Sequence, residues 1–123
     1  TVPLFSNITF RITLNSLIAR KKVEMNIGLH NAEMIFVTKT STLMQPDIVD
    51  LIVGKNIFEV SIPNISLSPG PYGLGLGIYD SSRTPLFGAT NLLTIAIDAP
   101  PEIHTRLPEG TLTYIPAKWN FTL

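Results

Sequence analysis

Apolar residues recur at every second position through most of the chain, and no other feature restricts the fold so strongly. Residues 8–14 and 23–29 both alternate between apolar and polar side chains. A strand places successive side chains on opposite faces, whereas a helix repeats every 3.6 residues. The other segments with strand-like patterns are 34–38, 57–62, 72–79, 92–97, 111–115 and 119–122. About seven or eight short strands separated by turns predict an all-β antiparallel sandwich or barrel.

Turn residues divide these strands and leave two segments of another kind. The stretch HNAE at residues 30–33 predicts a hairpin turn. Residues 46–53 are the one segment that allows a short helix, and they fit equally a loop with a buried anchor. Residues 98–109, with the stretches APPE and LPEG, predict a linker before a closing strand pair near the C-terminus. A detached last strand can pair within its own domain or with the sheet of a neighbour.

The composition fits one domain, residues 1–123, and excludes several classes of protein. Of the 123 residues, 45% are hydrophobic and 15% charged, which argues against disorder. Nine basic residues balance nine acidic ones, so no global field favours nucleic acid or an anionic membrane. There is no cysteine, which excludes disulfides and thiolate metal sites. Because the chain starts at Thr1 with neither a signal peptide nor an initiator methionine, we expect a domain excised from a larger protein.

Three glycines stand at alternate positions in the stretch PGPYGLGLGIYD, residues 69–80. Gly73, Gly75 and Gly77 therefore share one face of one strand. A dinucleotide site needs G-x-G-x-x-G before a helix and a P-loop ends in Gly-Lys-Ser/Thr, so neither phosphate motif is present. A glycine inside a strand often marks the close approach of another group. Two interpretations stay open: a neighbouring segment or bulky side chain packs there, or the face is a shallow binding surface.

No catalytic or metal-binding motif appears in the sequence. His30 and His104 stand apart from any nucleophile or ligand cluster, and we expect both at the surface. The nine carboxylates offer no particular pair of the kind that a glycosidase needs. Tyr79 and Trp119 are better candidates for function, because an aromatic ring with a polar handle can stack on the apolar face of a sugar. The sequence therefore favours a domain that binds or assembles over an enzyme.

One block of the sequence carries a family signature. Residues 54–80, GKNIFEVSIPNISLSPGPYGLGLGIYD, resemble the C-terminal domain of Wzt-type ATP-binding subunits of polysaccharide ABC transporters. Upstream, the stretch VEMNIGLHNAEMIFVTKTS is similar to the paired strands of that family. Near the C-terminus, the stretch EGTLTYIPAKWNF is similar to its terminal strand. The positions that match the family's run are Phe58, Ile62, Pro63, Ile65, Leu67, Pro69, Gly70, Tyr72, Leu74 and Ile78.

The resemblance implies a fold, a role and a location. The fold would be an immunoglobulin-like or jelly-roll β-sandwich that forms a homodimer, with exchange of the C-terminal strand as one route. The role would be non-catalytic binding of a bacterial O-antigen-like glycan, which couples the finished chain to export. The domain would work at the cytoplasmic face of the inner membrane and reach the permease through an ATPase domain that lies elsewhere in the protein. No cofactor, metal or nucleic acid is implied.

The candidate carbohydrate-binding residues are outward-facing side chains of three strands and the closing segment. They are Arg11, Asn26, His30, Tyr79 and Trp119. Arg11 is a candidate for contacting an anionic cap such as a phosphate or an acidic sugar. This set requires that the three strands share a sheet. In the alternative, the chain is a structural or oligomerisation module whose glycine-rich face packs against a partner strand, and no glycan binds.

Overall fold

Nine strands, one 3-10 turn and one short helix form in the computed structural model, which describes residues 1–121. Ser41 caps the 3-10 turn, because its hydroxyl accepts a hydrogen bond from the backbone N–H of Leu43. The strands are β1 (Val2–Pro3), β2 (Ile8–Ser16), β3 (Arg20–His30), β4 (Phe36–Ser41), β5 (Val49–Leu51), β6 (Gly54–Ile62), β7 (Gly70–Tyr79), β8 (Pro85–Ala89) and β9 (Thr94–Asp98), the turn is Thr42–Met44 and the helix α1 is Pro101–His104.

The strands form one large and one small sheet. The large sheet runs in the order β1-β9-β7-β3-β4, with β5 also beside β3 and β8 also beside β7. Its pairs are antiparallel except for the two-residue pair of β1 with β9, which is parallel. The small sheet consists of β2 and β6, paired without interruption from Ile8↔Ile62 to Ser16↔Gly54. The prediction of an all-β sandwich is confirmed.

The core lies between these two sheets, and alternation determines its members. Every second residue of the two central strands β3 and β7 points inward, and the two-residue period of a strand sends their neighbours outward. From the small sheet, Phe10 is buried and Phe58 is partly buried against the same cluster. The inward residues of the two central strands are Val23, Met25, Ile27, Leu29, Tyr72, Leu74, Leu76 and Ile78.

Two segments between the predicted strands differ from expectation. The short-helix alternative for residues 46–53 is wrong, because Val49–Leu51 forms β5, which pairs with β3. The buried anchor of the loop alternative is present as Leu51. A strand of three residues, with Asp50 between two apolar ones, is too short to give a clear period of two. Strand β8 was not predicted, because Phe87 in its centre is exposed and the segment lacks a regular apolar face.

The C-terminal part also differs from its prediction. The expected linker contains α1, and Ile103 and Leu107 pack against the core. Residues 111–121 form no strand in the structure, and one isolated bridge joins Thr113 to Leu67. The predicted closing strands are therefore wrong for this part of the chain, while Thr122 lies outside the described residues. No helix within residues 1–121 combines the length and the apolar character needed to cross a bilayer.

A β-bulge in the hairpin of β3 and β4 determines which side chains face outward. The register is regular from Asn26↔Ser41 to Leu29↔Thr38, and it then shifts so that His30 lies opposite Phe36. Regular pairing would place Val37 there, but Val37 packs against the core instead. A shift of one residue moves a side chain to the other face of a sheet. The bulge thus places the Phe36 ring on the outer face.

Candidate functional site

The outward face of the large sheet carries glycines where its two central strands pair, and we call it the glycine face. Gly28 of β3 lies opposite Gly75 of β7, and the neighbouring outward pairs are His30↔Gly73 and Asn26↔Gly77. On the next strand, Gly88 of β8 lies opposite Gly77. The sheet therefore lacks Cβ atoms over a continuous area at its centre, which leaves room for other groups to lie close to the backbone.

The ring of Phe36 occupies the centre of this area. A Cβ built at Gly28 would lie 2.6 Å from Phe36 Cδ1, and one built at Gly75 would lie 2.6 Å from Phe36 Cζ. Real Cβ atoms do not approach other atoms so closely. Both glycines are therefore required by a ring that lies flat across the pair.

Two further rings lie on the other glycines. The Tyr79 ring leans back over Gly77, where a Cβ would meet its Cε2 at 3.0 Å. The His30 imidazole covers Gly73 in the same way. Each glycine that attracted notice in the sequence therefore supports an aromatic ring of the same chain. The interpretation that bulky side chains pack against the glycines is confirmed.

A shallow cavity of about 330 Å³ lies beside these rings. The Phe36 and Tyr79 rings contribute apolar surface to it, and Lys39 contributes an ammonium group 4.7 Å from the centroid of Phe36. Asn26 and Thr90 supply polar side chains, and Gly88 leaves part of the floor open. Apolar walls with a few polar groups are typical of a site for a small molecule or a sugar residue.

An ion pair between an exposed arginine and a buried glutamate lies next to Asn26, a residue that lines this cavity. Glu24 is 4% exposed and pairs with Arg83, whose Nε lies 3.2 Å from Glu24 Oε1. Asn26 donates from Nδ2 to Glu24 Oε2 at 2.9 Å, and this bond fixes the orientation of its amide. The remaining amide oxygen, Asn26 Oδ1, is buried without a hydrogen-bond partner among the described residues. It is an unused acceptor at the edge of the cavity.

His30 holds a loop rather than facing solvent. It is 3% exposed, so the expectation of a surface histidine is wrong for this residue. Its Nε2 accepts the backbone N–H of Asn91 at 3.0 Å, and its Nδ1 lies 3.0 Å from the carbonyl oxygen of Asn31. These partners assign the proton to Nδ1. Because Thr90 immediately precedes Asn91, His30 also positions one wall of the cavity.

The five candidate residues do not all come together. Asn26, His30 and Tyr79 share the glycine face. Arg11 lies on β2 in the small sheet, where its Nη2 contacts Glu59 Oε1 at 2.9 Å. Trp119 is 80% exposed and stacks on Phe121 with 6.4 Å between centroids. The requirement that all these strands share one sheet is therefore wrong for Arg11.

Sequence reasoning missed four side chains at this site. Phe36 and Lys39 line the cavity, and Glu24, paired with Arg83, holds the amide of Asn26 beside it. Lys39 could have been found, because the alternation of β4 and the pairing of Gly28 place it on the outer face. Phe36 could not, since regular alternation assigns it to the core. Among the residues that the structure describes, no three His, Asp or Glu side chains cluster as metal ligands would.

Comparison with known proteins gives a result at the level of structure only. No protein-family model matches the sequence, and no curated protein matches it significantly. Among solved structures, the C-terminal domain of Wzt aligns with 100% of this chain and 73% of its own, with a TM-score of 0.73. The two share a fold. At 16% identity, the likeness to the Wzt domain is one of backbone architecture. It covers the whole chain, whereas the distinctive similarity in sequence is limited to residues 54–80.

Proposed function

We propose that this chain is a non-catalytic glycan-binding domain and that the glycan lies on the glycine face. The observation that carries this proposal is the 330 Å³ cavity beside the Phe36 and Tyr79 rings. The C–H groups on one face of a sugar ring are apolar and stack on an aromatic ring, while its hydroxyls need hydrogen-bond partners at the edge. Rings held against glycines are rigid, so little side-chain entropy is lost on binding.

The polar groups around the cavity suit the hydroxyls of a sugar. The amide oxygen of Asn26 has no partner among the described residues and can accept a hydrogen bond from a sugar hydroxyl, and Thr90 offers a hydroxyl group. Lys39 supplies three donors and a positive charge for a carboxylate or phosphate on the glycan. The proposed contact residues are therefore Asn26, Phe36, Lys39 and Tyr79. His30 supports them by holding the loop, while Arg11 is removed from the proposed site.

The fold and the sequence block together support a place in polysaccharide export. In this proposal, binding links a finished O-antigen-like chain to an ABC transporter at the cytoplasmic face of the bacterial inner membrane. ATP hydrolysis and contact with the permease would belong to a separate ATPase domain. The fold likeness to the Wzt C-terminal domain and the resemblance of residues 54–80 support this role.

The C-terminal segment supports dimerisation as a second part of the proposal. Ile115, Trp119 and Phe121 are 91%, 80% and 82% exposed, so a largely apolar segment has no cover within residues 1–121. Within residues 1–121, β2 is the single strand paired with β6, which leaves the other edge of β6 open beside a groove of about 340 Å³. A strand from a second copy can pair with such an edge. We propose that the segment after Thr113 exchanges between two copies.

Titration with O-polysaccharide from the source bacterium, freed of lipid, tests glycan binding. We expect amide shifts at Asn26, Gly75 and Gly77, and affinity lowered about tenfold or more by Tyr79→Ala. The matched control is Thr13→Ala on the outer face of the small sheet, which should leave affinity unchanged. If the folded chain shows no shifts with this polysaccharide, the glycan-binding proposal is refuted.

The alternative function is a structural or oligomerisation module. The exposed C-terminal segment favours it, since that segment suits assembly without any glycan. A partner strand on the glycine face is less favoured, because rings of the chain itself already lie on Gly28, Gly73, Gly75 and Gly77. Sedimentation of the chain and of a variant ending at Tyr114 separates the two parts. A dimer that the truncation abolishes, with no glycan binding, supports this alternative.

A further inference from the structure

Four aliphatic side chains project into solvent at one end of the sandwich, which we call the tip. Leu17 and Ile18 lie in the loop between β2 and β3 and are 86% and 52% exposed. Ile52 and Val53 lie in the loop between β5 and β6 and are 62% and 64% exposed. The pairs Ser16↔Gly54 and Arg20↔Leu51 flank the two loops and bring them side by side.

Both loops are held in place by hydrogen bonds from side chains. Asn56 is 7% exposed, accepts the N–H of Ile52 at 3.0 Å and donates to the carbonyl oxygens of Ile52 and Gly54. Ser16 donates to the carbonyl oxygen of Ile18 at 2.6 Å. The buried amide and the hydroxyl fix the backbone, so the aliphatic side chains extend from ordered loops rather than from loose ones.

Basic residues surround the tip although the whole chain has no net charge. Arg20, Lys21 and Lys22 follow the first loop, and Lys55 follows the second. Within residues 17–22 and 50–55, Asp50 is the one acidic residue. Its carboxylate accepts a hydrogen bond from the backbone N–H of Lys22 at 2.9 Å. Lys22 has a φ of 58° at an irregularity between Arg20 and Val23, which turns the backbone there out of regular pairing. The tip therefore carries a local excess of positive charge.

We propose that the tip docks on the surface of an anionic phospholipid bilayer. Aliphatic side chains would enter the boundary between headgroups and acyl chains, while Lys21, Lys22 and Lys55 would remain among the phosphates. A cluster of about four basic residues beside an apolar anchor matches the charge of an anionic leaflet. Protein interfaces are instead enriched in aromatic residues and depleted in lysine, and the tip shows the opposite composition.

The position of the tip leaves the glycine face free. Glu24 pairs with Tyr79 near the tip, whereas Gly70, Ile97 and Val2 lie together at the far end of the large sheet. A chain that stood on its tip would hold its strands away from the bilayer and expose its glycan site at the side. Docking at the tip and binding at the glycine face are thus compatible, and each can fail without the other.

Sedimentation with vesicles tests the proposal. The chain is mixed with vesicles of phosphatidylglycerol and phosphatidylcholine, or of phosphatidylcholine alone, at low and high salt. We expect binding to the anionic vesicles that salt weakens. The double variant Lys21→Glu, Lys22→Glu should weaken it by about 10-fold or more, while Arg106→Glu with Lys118→Glu, an equal charge change elsewhere, should weaken it far less.

Apolar insertion is tested by a second pair of variants and by fluorescence. Ile52→Ser with Val53→Ser should reduce binding at constant charge, whereas Ile35→Ser with Ile57→Ser, exposed residues outside the tip, should not. Leu17→Trp in a Trp119→Phe background should show a blue-shifted emission with anionic vesicles. Circular dichroism checks that each variant is folded.

Two outcomes would overturn the proposal. One is that the folded chain does not bind anionic vesicles at low salt, or binds them equally well with both tip variants. The other is self-association that Ile52→Ser with Val53→Ser abolishes, without vesicle binding, which would assign the tip to a protein partner.

Discussion

The two outward faces of the sandwich both alternate with apolar core positions in sequence, but they differ in structure. On the small sheet, the outward pairs Thr9↔Ser61 and Arg11↔Glu59 form an exposed ladder in which each side chain contacts the one opposite. On the large sheet, glycines replace such side chains, and rings lie down on the backbone beside a cavity. Of the two faces, the glycine face is the candidate site, because its missing Cβ atoms leave room for a cavity above the backbone.

The largest difference between the faces is expected at His30. His30→Ala removes a buried ring, the acceptor for the N–H of Asn91 and the partner of Asn31, and should lower the free energy of unfolding by about 2–4 kcal/mol. Thr13→Ala on the ladder face should change it by less than about 0.5 kcal/mol. Urea unfolding followed by circular dichroism measures both. Equal effects would contradict the different burial of the two faces.

A matched pair of glycines tests the role of the Phe36 ring. Gly75→Ala should force the ring aside and cost about 1–2 kcal/mol of stability. The new Cβ would lie 2.7 Å from Cε1 and 2.6 Å from Cζ of Phe36, which is closer than van der Waals contact. Gly88→Ala meets nothing within 4 Å and should stay within about 0.5 kcal/mol. Thermal unfolding gives the stabilities, and the ring proton shifts of Phe36 report its displacement. An undisturbed ring in the Gly75 variant would refute the close packing.

The two Arg–Glu pairs differ in burial and should differ in strength. Arg83→Ala leaves the buried Glu24 carboxylate with the amide of Asn26 alone, and we expect a loss of about 1–2 kcal/mol. Urea unfolding measures the loss, and Arg83→Lys should restore only part of it because lysine lacks the two-pronged donor. If Arg83→Ala left the free energy of unfolding unchanged, solvent would be hydrating the Glu24 carboxylate in place of the arginine.

The smallest effect is expected at Arg11. Its guanidinium and the Glu59 carboxylate are both more than half exposed, so Arg11→Ala should cost less than about 0.5 kcal/mol. A double-mutant cycle with Glu59→Ala isolates the pair, and high salt should reduce the coupling energy further. A coupling energy above about 1 kcal/mol would mean that the ladder face is more rigid than its exposure indicates.

The sequence predicted the sheets well because alternation acts locally. The inward positions of Met25, Ile27 and Leu29 follow directly from the period of β3, and so do the outward glycines of β7. The candidate site was predicted only in part. The outward position of Phe36 depends on a bulge, and the burial of His30 depends on a loop 61 residues further along the chain, neither of which leaves a periodic signal.

Averages over the sequence concealed other features. The net charge of zero gave no indication of the basic residues clustered at the tip, because most of the acidic residues that balance them lie elsewhere in the fold. Residues 111–115 have the pattern of a strand but form none in a single chain. A strand needs a partner edge, and sequence period says nothing about where that edge is.

The bulge between Leu29 and His30 also bears on how such domains can diverge. If β4 paired regularly, Val37 instead of Phe36 would lie opposite His30, and the ring at the centre of the glycine face would be exchanged for a branched aliphatic group. The inward residues of β3 would keep their places. A change of one residue in the length of a hairpin can therefore give a new ligand preference without any substitution at the binding surface.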